Sequence, residues 1–274
     1  MKFPRAFRPV IIAVSAALAL SACAGNKVKK DQSYVARDVE TLYSIAKDTL
    51  EKRQYKLAAA QFDEVERQHP YSVWARRAQL MSAFAYYVAG DFSESISSSQ
   101  RFLSLHPGSR EAPYAYYMIA TSYYEQISGV QRDQRITQQA LDALNELIRR
   151  YPNTDYAADA RLKIDLARDH LAGKEMEIGR FYQKQGLYLA AISRFRNEID
   201  RYDTTSHTPE ALHRLVECYL ALGIPEEAQK AAAVLGNNYP GSKWYERSYA
   251  LIATKMPKPA SAPPTARAPD PAAS

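Results

Sequence analysis

The 274-residue sequence contains few cysteines, and this scarcity limits how the protein can be stabilised. Its two cysteines are Cys23 and Cys218. Because Cys23 belongs to a processing signal described below, Cys218 is the only thiol left in the body of the chain, and an intramolecular disulfide is excluded. Cys218 lies in an apolar helical pattern, so we expect it to be a buried free thiol.

Long hydrophobic runs are also missing. The apolar stretch from Val10 to Leu20 is too short to cross a bilayer and is typical of a secretory signal peptide. Basic residues precede it, and Leu20-Ser21-Ala22-Cys23 follows. This order resembles the bacterial lipobox, in which cleavage occurs before a cysteine that carries a diacylglycerol and an acyl chain such as palmitate. We predict a signal peptide over residues 1–22 and lipidation of Cys23; an ordinary signal peptide with an incidental cysteine is the alternative.

The residues after the cleavage site indicate where the protein is anchored. Residues 23–36 are polar and are predicted to form a flexible tether. Several acyl chains anchor a domain stably, since each buried methylene contributes about 0.8 kcal/mol. Ala24 stands where inner-membrane lipoproteins of enterobacteria typically have aspartate. We therefore expect the protein at the outer membrane of a Gram-negative bacterium, facing the periplasm.

A strong charge of one sign is absent as well. The full chain has 36 Lys and Arg residues against 30 Asp and Glu residues, a net charge of +6. Three of the basic residues and none of the acidic ones precede Cys23, so the mature chain carries 33 − 30 = +3. Because nucleic-acid-binding domains have a clustered basic surface, we expect no nucleic acid as a partner.

The sequence lacks the common catalytic and metal-binding patterns. It has no Gly-rich phosphate loop, no G-x-S-x-G turn and no H-E-x-x-H helix. His207, His213 and Cys218 are spaced by six and five residues, which does not place their side chains on one helical face as ligands of a metal would be. We expect no enzymatic activity, no metal and no cofactor other than the lipid on Cys23.

A helix-turn-helix pattern is present instead, most clearly from Tyr71 to Tyr124. Two apolar helical segments are separated by Gly90-Asp91, a Pro107-Gly108 turn ends the pair, and the pattern begins again. Units of about 34 residues with small and aromatic residues at fixed positions and a closing proline are typical of tetratricopeptide repeats. We predict an all-α superhelical solenoid of about five tetratricopeptide repeats, with an extra helix and a C-terminal capping helix.

The closing prolines show where the array departs from regular spacing. Their successive intervals are 37, 45 and 88 residues. The second interval contains a polar insertion, Gln126 to Thr137, and the third contains two units and an extra helix, predicted at Asp155 to Ala172 and ended by Gly173. The fourth unit has Asp203 where proline is expected. The closing prolines are Pro70, Pro107, Pro152 and Pro240.

These landmarks divide the chain. Residues 37–152 hold the first three units, and residues 153–255 hold units four and five with a capping helix from Ser242 to Lys255, because the last face of a solenoid needs a cap. Residues 256–274 contain six of the fifteen prolines and no aromatic residue. That composition is typical of a disordered or polyproline-like tail.

Tyrosine is plentiful, and five of the twenty tyrosines fall between Tyr114 and Tyr124. Tyrosine offers a large contact area and a polar group at a low entropy cost. The helix A residues that are not used for packing should line the concave surface, where we predict a groove for an extended apolar-aromatic peptide. The alternative is that these tyrosines only fill gaps between helices. The predicted groove residues are Tyr43, Lys47, Leu80, Phe84, Tyr87, Tyr114, Tyr117, Thr121 and Tyr124.

Short sequence runs carry a family resemblance. They include Tyr71-Ser72-Val73-Trp74-Ala75, Arg101-Phe102-Leu103-Ser104-Leu105-His106-Pro107 and Tyr114-Ala115-Tyr116-Tyr117. These runs resemble the BamD (ComL/YfiO) family of outer-membrane assembly lipoproteins, and the run that begins at Arg101 is the most specific. The resemblance covers about residues 36–255 and departs from the family pattern at Asp203 and in the Pro-rich tail.

The resemblance implies a non-enzymatic scaffold of the β-barrel assembly (BAM) complex, which folds and inserts barrel proteins into the outer membrane. It implies that the N-terminal units bind the C-terminal targeting strand of unfolded outer-membrane proteins. The C-terminal units would dock on a POTRA domain of the barrel subunit BamA, beside other BAM lipoproteins. Arg194, Arg196 and Arg201 are the candidate docking residues.

Two other classes of function compete with this interpretation. One is a repeat lipoprotein that acts as an adaptor for peptidoglycan or cell-division machinery, which would not need the tyrosine-rich second and third units. The other is an envelope hydrolase that uses its repeats for targeting. The missing catalytic patterns argue against the hydrolase.

Overall fold

The computed structural model describes residues 38–255, and within this range every regular element is a helix. The predicted signal peptide, Cys23, the tether and the Pro-rich tail lie outside the described residues. The helices of the described range are α1 (Val39–Glu51), α2 (Tyr55–Gln68), α3 (Val73–Val88), α4 (Phe92–Leu105), α5 (Ala112–Tyr124), α6 (Arg135–Arg150), α7 (Asp155–Lys184), α8 (Tyr188–Tyr202), α9 (Thr208–Ala221), α10 (Pro225–Asn238) and α11 (Lys243–Lys255).

Helices that follow one another in the chain pack together in pairs. The pairs α1–α2, α3–α4, α5–α6 and α9–α10 are repeats, and the second half of α7 forms a further repeat with α8. α11 covers the end of the array and contacts both α9 and α10. This arrangement confirms the predicted all-α repeat solenoid and its capping helix. In such an array each unit contacts mainly its neighbours, so stability depends on many local interfaces.

In four of the five repeats, the turn between the two helices contains a residue in the left-handed conformation. Gly90, Gly186 and Gly223 have φ values of +79°, +74° and +74° at this turn. Arg53 occupies the same place after α1, with a φ of +60°. Because an L side chain is crowded in this conformation by the following carbonyl oxygen, the first turn is strained and the glycine turns are not.

The residue before each closing proline ends its helix in one recurring conformation. His69, His106, Tyr151 and Tyr239 have φ values of −134° or −135° and ψ values between 53° and 58°. The proline ring clashes with a helical conformation of the preceding residue, which explains the uniform geometry. In the fourth unit Asp203 stands in place of the proline, so the preceding residue, Tyr202, stays in the helix, and Asp203 itself is helical with a φ of −54° and a ψ of −19°.

Small residues facing an aromatic ring build the core of the first and fourth repeats. Ala58 and Phe62 of α2 are fully buried with Ala46 of α1. Gly179 takes the small position in α7, where a β-carbon would lie 2.4 Å from the ring of Phe195. The two helix backbones therefore approach closely enough for the ring to fill the space between them, as expected for a close-packed interior.

The extra helix is not a separate element. α7 runs without a break from Asp155 to Lys184, so the predicted end at Gly173 is wrong. Gly173 is buried, and a β-carbon at this position would lie 3.2 Å from His207 and 3.3 Å from Val130. Glycine costs a helix about 1 kcal/mol relative to alanine, and here the close packing around Gly173 leaves little room for a side chain.

As one continuous helix, α7 joins the two halves of the solenoid. Its first half packs Ala160 and Ile164 into a core with Leu144 and Leu147 of α6. Its second half contributes Met176 to the core shared with α8, α9 and α10. No helix of the described range is long and apolar enough to span a membrane, and this includes the 30 residues of α7.

The predicted polar insertion is a loop that runs into the start of α6, which begins at Arg135. The loop is held against the middle of α7. The imidazole Nε2 of His170 lies 2.5 Å from the carbonyl oxygen of Ser128, and Lys174 donates from Nζ to the carbonyl oxygen of Gln131 at 3.1 Å. The insertion therefore supports the long helix at the junction of the two halves.

Candidate functional site

Five tyrosines from three helices lie close together in the first half of the solenoid. The ring of Tyr156 is 5.1 Å from that of Tyr117 and 5.7 Å from that of Tyr114, measured between ring centroids. All five rings are half-buried, so each keeps part of its surface for a ligand. We call this set the tyrosine cluster; its members are Tyr87 of α3, Tyr114, Tyr117 and Tyr124 of α5, and Tyr156 of α7.

A charged pair on α7 orients the cluster. The hydroxyl of Tyr117 donates to Oδ2 of Asp159 at 2.9 Å, and Nζ of Lys163 lies 2.9 Å from the same carboxylate. Lys163 also lies over the ring of Tyr124, 5.3 Å from its centroid. Burial acts to raise the pKa of Asp159, but the hydrogen bonds from Lys163 and Tyr117 lower it on balance. At neutral pH Asp159 is therefore a charged acceptor for the Tyr117 hydroxyl.

The hydroxyls of Tyr87, Tyr114 and Tyr117 stay protonated at neutral pH, because the pKa of each is raised. Burial, helped by the nearby Tyr156 and Tyr87, raises the pKa of Tyr114 to about 12. Burial also raises the pKa of Tyr87, and the carboxylate of Glu125 adds to this effect. The Tyr87 hydroxyl donates to Oε1 of Glu125 at 3.3 Å. The cluster therefore presents apolar ring faces and hydroxyl donors, without an anionic phenolate.

The predicted groove residues divide into those that join the tyrosine cluster and those that do not. Tyr87, Tyr114, Tyr117 and Tyr124 are brought together, whereas Tyr43 packs between Phe62 and Trp74, at 5.4 and 4.8 Å between ring centroids. Lys47 is exposed, with its Nζ atom 3.7 Å from a carboxylate oxygen of Glu51. Phe84 is half-buried.

Two of the predicted groove residues have almost no surface. Leu80 is 8% exposed and Thr121 is 2% exposed. Leu80 packs in a core with Phe102 and Ala115, and the Thr121 hydroxyl donates to the carbonyl oxygen of Tyr117 at 2.9 Å. These two side chains therefore pack between helices, and their assignment to the groove surface needs correction.

α7 contributes residues to the cluster that the sequence pattern did not identify. Tyr156, Asp159 and Lys163 complete the cluster, but the start of α7 was interpreted only as an extra helix. A signal was present: these residues recur at intervals of three and four, as residues on one face of a helix do. Only the packing of α7 against α5 shows that this face meets the tyrosines.

The three candidate docking arginines line one open surface depression along α8. Arg194 pairs through Nη1 with Glu175 of α7 at 3.2 Å, and the depression also includes Arg196, Arg201 and Leu189. Leu189 is 73% exposed. The structure therefore places an apolar side chain among three guanidinium groups, and we call this surface the arginine face.

The run that begins at Arg101 is structural. Arg101 forms ion pairs with Glu66 at 3.0 Å and with Asp63 at 3.4 Å, both on α2. Phe102 is fully buried, and the ring of His106 lies 5.2 Å from the Phe102 ring. This run therefore joins the first repeat to the second and does not form part of the tyrosine cluster.

The histidines and the cysteine considered as metal ligands serve separate contacts. The Nε2 atom of His207 lies 3.6 Å from the carboxylate of Asp169, and the Nδ1 atom of the buried His213 lies 2.8 Å from the hydroxyl of Ser248. Cys218 is a buried free thiol, which confirms the prediction for this residue. Burial raises the pKa of Cys218 to about 12. Within residues 38–255, no group of His, Cys, Asp and Glu side chains could hold a metal ion.

The chain is similar to known proteins over most of its length. Residues 35–235 match the family YfiO, described as an outer membrane lipoprotein. The chain is 51% identical over 253 residues to "Outer membrane protein assembly factor BamD" of Caulobacter vibrioides, covering 92% of this chain and 83% of the relative. It is 46% identical over 228 residues to the protein of the same name from Rickettsia prowazekii, covering 83% of this chain and 91% of the relative.

One solved structure among the matches is that of a thermophilic TPR protein from Thermus thermophilus. It has 18% sequence identity and a TM-score of 0.36, and the match covers 80% of this chain and 99% of that one.

Proposed function

The chain belongs to the YfiO family of outer membrane lipoproteins, and we propose that it is a scaffold of the machinery that assembles β-barrel proteins into the outer membrane. The observation that carries this proposal is its 51% identity, over 92% of the chain, to a relative named as an outer membrane protein assembly factor. The names of the relatives support this interpretation and not the alternative of a peptidoglycan or cell-division adaptor. As a member of this family the chain is non-enzymatic, like the assembly factors that it resembles.

The tyrosine cluster is the proposed binding surface for unfolded barrel proteins. Its rings are half-buried and joined by short ring contacts, so they lose little freedom when a peptide binds. Hydrogen bonds to Asp159 and Glu125 hold two of the hydroxyls. An extended peptide with aromatic and apolar side chains, such as the strand of an unfolded barrel, would lie against these ring faces.

The arginine face is the proposed docking surface for a POTRA domain of a BamA-type barrel subunit. The Arg194–Glu175 ion pair is only partly buried, and exposed ion pairs contribute at most about 1 kcal/mol on their own. The same arginine contributes more when a partner removes the water around it. The exposed side chain of Leu189 beside it supplies apolar surface that docking would bury.

We propose a lipid anchor for the N-terminus. A diacylglycerol and an acyl chain on Cys23 would hold the solenoid at the periplasmic face of the outer membrane, next to other BAM lipoproteins, and the proposal requires no other cofactor. Fractionation of the envelope of cells that carry a Cys23→Ala variant tests this part separately from the partner surfaces. The expected result is that the variant is lost from the outer-membrane fraction.

The test of the function is an affinity pull-down of the tagged full chain from solubilised native membranes, followed by mass spectrometry. The proposal expects a POTRA-containing barrel protein in near-equal amount. Recovery of peptidoglycan-linked or cell-division proteins without a barrel partner would overturn it and favour the adaptor.

A further inference from the structure

Three cationic side chains converge on one indole ring near the C-terminal end of the solenoid. The Nζ atom of Lys243 and the guanidinium carbons of Arg247 and Arg214 lie 5.1, 5.1 and 5.6 Å from the ring centroid of Trp244. The imidazole of His213 lies against the same ring at 5.2 Å. In the described part of the chain, no other aromatic ring contacts more than one cationic side chain. We call this set the indole cluster.

The positive charge of the cluster is only partly balanced. Arg214 pairs with Glu210 at 3.3 Å and with Glu217 at 2.8 Å. Lys243 and Arg247 are exposed, and within residues 38–255 neither forms an ion pair. Two cations without an ion-pair partner next to one ring leave an excess of positive charge, which an anion close to them would offset.

The ring is held in place before any partner arrives. His213 is buried and its Nδ1 lies 2.8 Å from the hydroxyl of Ser248, which belongs to the same helix as Trp244. The Nε2 atom of His213 lies 3.4 Å from Glu217. An aromatic ring fixed by its packing and surrounded by charged side chains is typical of an anchor position in a protein interface.

We propose that the indole cluster binds an acidic segment of a partner protein. Carboxylates of that segment would pair with Lys243 and Arg247, and an apolar side chain next to them would pack on the free part of the Trp244 ring. Charge complementarity decides the occupant: residues 256–274 of this chain contain Lys258, Arg267 and a single acidic residue, Asp270, so they do not match a basic surface.

This surface is separate from the two used in the proposed function. The tyrosine cluster lies on α3, α5 and α7, and the arginine face lies along α8, whereas the indole cluster is formed by α9 and α11. A variant of the indole cluster can therefore lose its partner while the tyrosine cluster and the arginine face stay intact.

The chain offers a direct reporter, because its two tryptophans are Trp74 and Trp244. In a Trp74→Phe background, the fluorescence of the detergent-solubilised full chain reports on Trp244 alone. The probe is a synthetic peptide of about ten residues that alternates glutamate and glycine around one leucine, at a length that spans the two cations. A peptide with lysine in place of glutamate is the control probe.

We expect the acidic peptide to change the Trp244 emission in a salt-dependent way and the lysine peptide to leave it unchanged. Lys243→Glu with Arg247→Glu should weaken binding by about tenfold or more, since charge reversal turns attraction into repulsion. Lys255→Glu reverses a single charge elsewhere on α11 and should alter binding by less than about twofold, whereas Lys243→Glu or Arg247→Glu alone should weaken it by more than that. Lys243→Gln with Arg247→Gln, which removes charge without adding any, should give an intermediate loss.

Three outcomes would overturn the proposal. One is no binding of the acidic peptide, and another is equal weakening by Lys255→Glu, which would mean that only the general charge of the protein is sensed. The third is a change in Trp244 emission with phosphatidylglycerol vesicles and none with the peptide, which would identify a membrane surface as the partner. The pull-down of the barrel subunit remains a separate measurement, so failure here leaves the proposed function standing.

Discussion

Gly179 of α7 lies against the ring of Phe195 in α8, so closely that a β-carbon on Gly179 would be 2.4 Å from the nearest ring atom. Phe195 is fully buried and cannot turn its ring into solvent. The contact joins the long helix to the helix that follows it. It therefore determines how closely the second half of the solenoid packs on the element that links the two halves.

Gly179→Ala is expected to lower the free energy of unfolding by about 1–3 kcal/mol, the usual cost of overpacking a core. The better helix propensity of alanine, about 1 kcal/mol, offsets part of the clash. Urea denaturation followed by circular dichroism measures the change. Gly108→Ala is the control, because a β-carbon there meets open space, and wild-type stability of Gly179→Ala would contradict the packing.

Arg53→Gly is expected to raise the free energy of unfolding by up to about 1 kcal/mol, since it removes a side chain from a left-handed turn residue. Gly90→Ala should have the opposite sign and cost about 1 kcal/mol, because it puts a side chain at the equivalent turn, where φ is +79°. Thermal unfolding of both variants side by side is the measurement. A stabilising effect of Gly90→Ala would contradict the strain argument.

Glu198 is expected to make stability fall as pH rises from about 4.5 to about 7. Burial, with Asp169 and Asp203 nearby, raises its pKa from 4.5 to about 7, against the hydrogen bonds from Thr205 and Thr208 that lower it. The folded protein therefore holds this proton more tightly than the unfolded chain does. The stabilising effect is complete below pH 4.5 and is lost as pH rises through 7, a difference of about 3 kcal/mol.

Glu198→Gln tests this pH dependence because it keeps the shape and removes the charge. Denaturation by urea at several pH values between 4.5 and 8 should show a flatter profile than that of the wild type, with higher stability above pH 7. Glu217 does not titrate in the folded protein within this pH range. Its burial acts to raise its pKa, but hydrogen bonds from His213, Gln183 and Arg214 overcome this effect and lower the pKa to about 2. Parallel profiles for the two proteins would contradict the prediction.

Replacing Tyr87, Tyr117 and Tyr124 by alanine should weaken binding of an extended apolar-aromatic peptide by about tenfold or more, since each lost anchor side chain costs about 1 kcal/mol or more. Fluorescence anisotropy of a labelled peptide measures it, with far-ultraviolet circular dichroism as a check of folding. Tyr71→Ala is the matched control, because Tyr71 is 100% exposed and lies outside the cluster.

Tyr117→Phe separates the ring from the hydroxyl. It keeps the aromatic face and removes only the hydrogen bond to Asp159. Peptide binding should therefore change by less than about threefold, which corresponds to a free energy a little smaller than the net contribution of about 1 kcal/mol from one hydrogen bond. Unchanged binding in the triple alanine variant, with the fold intact, would rule out the tyrosine cluster as the peptide site.

Arg194→Glu should reduce recovery of the POTRA-containing barrel protein in the pull-down, because it puts a carboxylate opposite Glu175 and reverses one of the three positive charges of the arginine face. Arg149→Glu is the matched control: Arg149 is also exposed and paired with a nearby carboxylate, that of Glu146, but it lies on α6. Equal recovery with both variants would mean that the docking contact lies elsewhere.

The repeats could be predicted from the sequence because their signals are local. A proline at 70, 107, 152 or 240 acts on the residue just before it, and the backbone of His69 and Tyr239 differs by only a few degrees across the array. The departure at Asp203 follows from the same rule. The predicted end of α7 is wrong because a glycine such as Gly173 is typical of a helix end when only the neighbouring sequence is considered. In the structure Gly173 instead packs against Val130 and His207, which are distant in the chain.

The sequence by itself determined the repeat class, the helix pairs, the capping helix and the buried state of Cys218, since all of these follow from periodicity and from the geometry of proline and glycine. Only the tertiary structure decided which tyrosines meet, that Leu80 and Thr121 are buried, and that α7 adds Tyr156, Asp159 and Lys163 to the cluster. The physical reason is that a surface shared by several helices depends on the angle and distance at which they pack, and these are set by contacts between residues far apart in the chain.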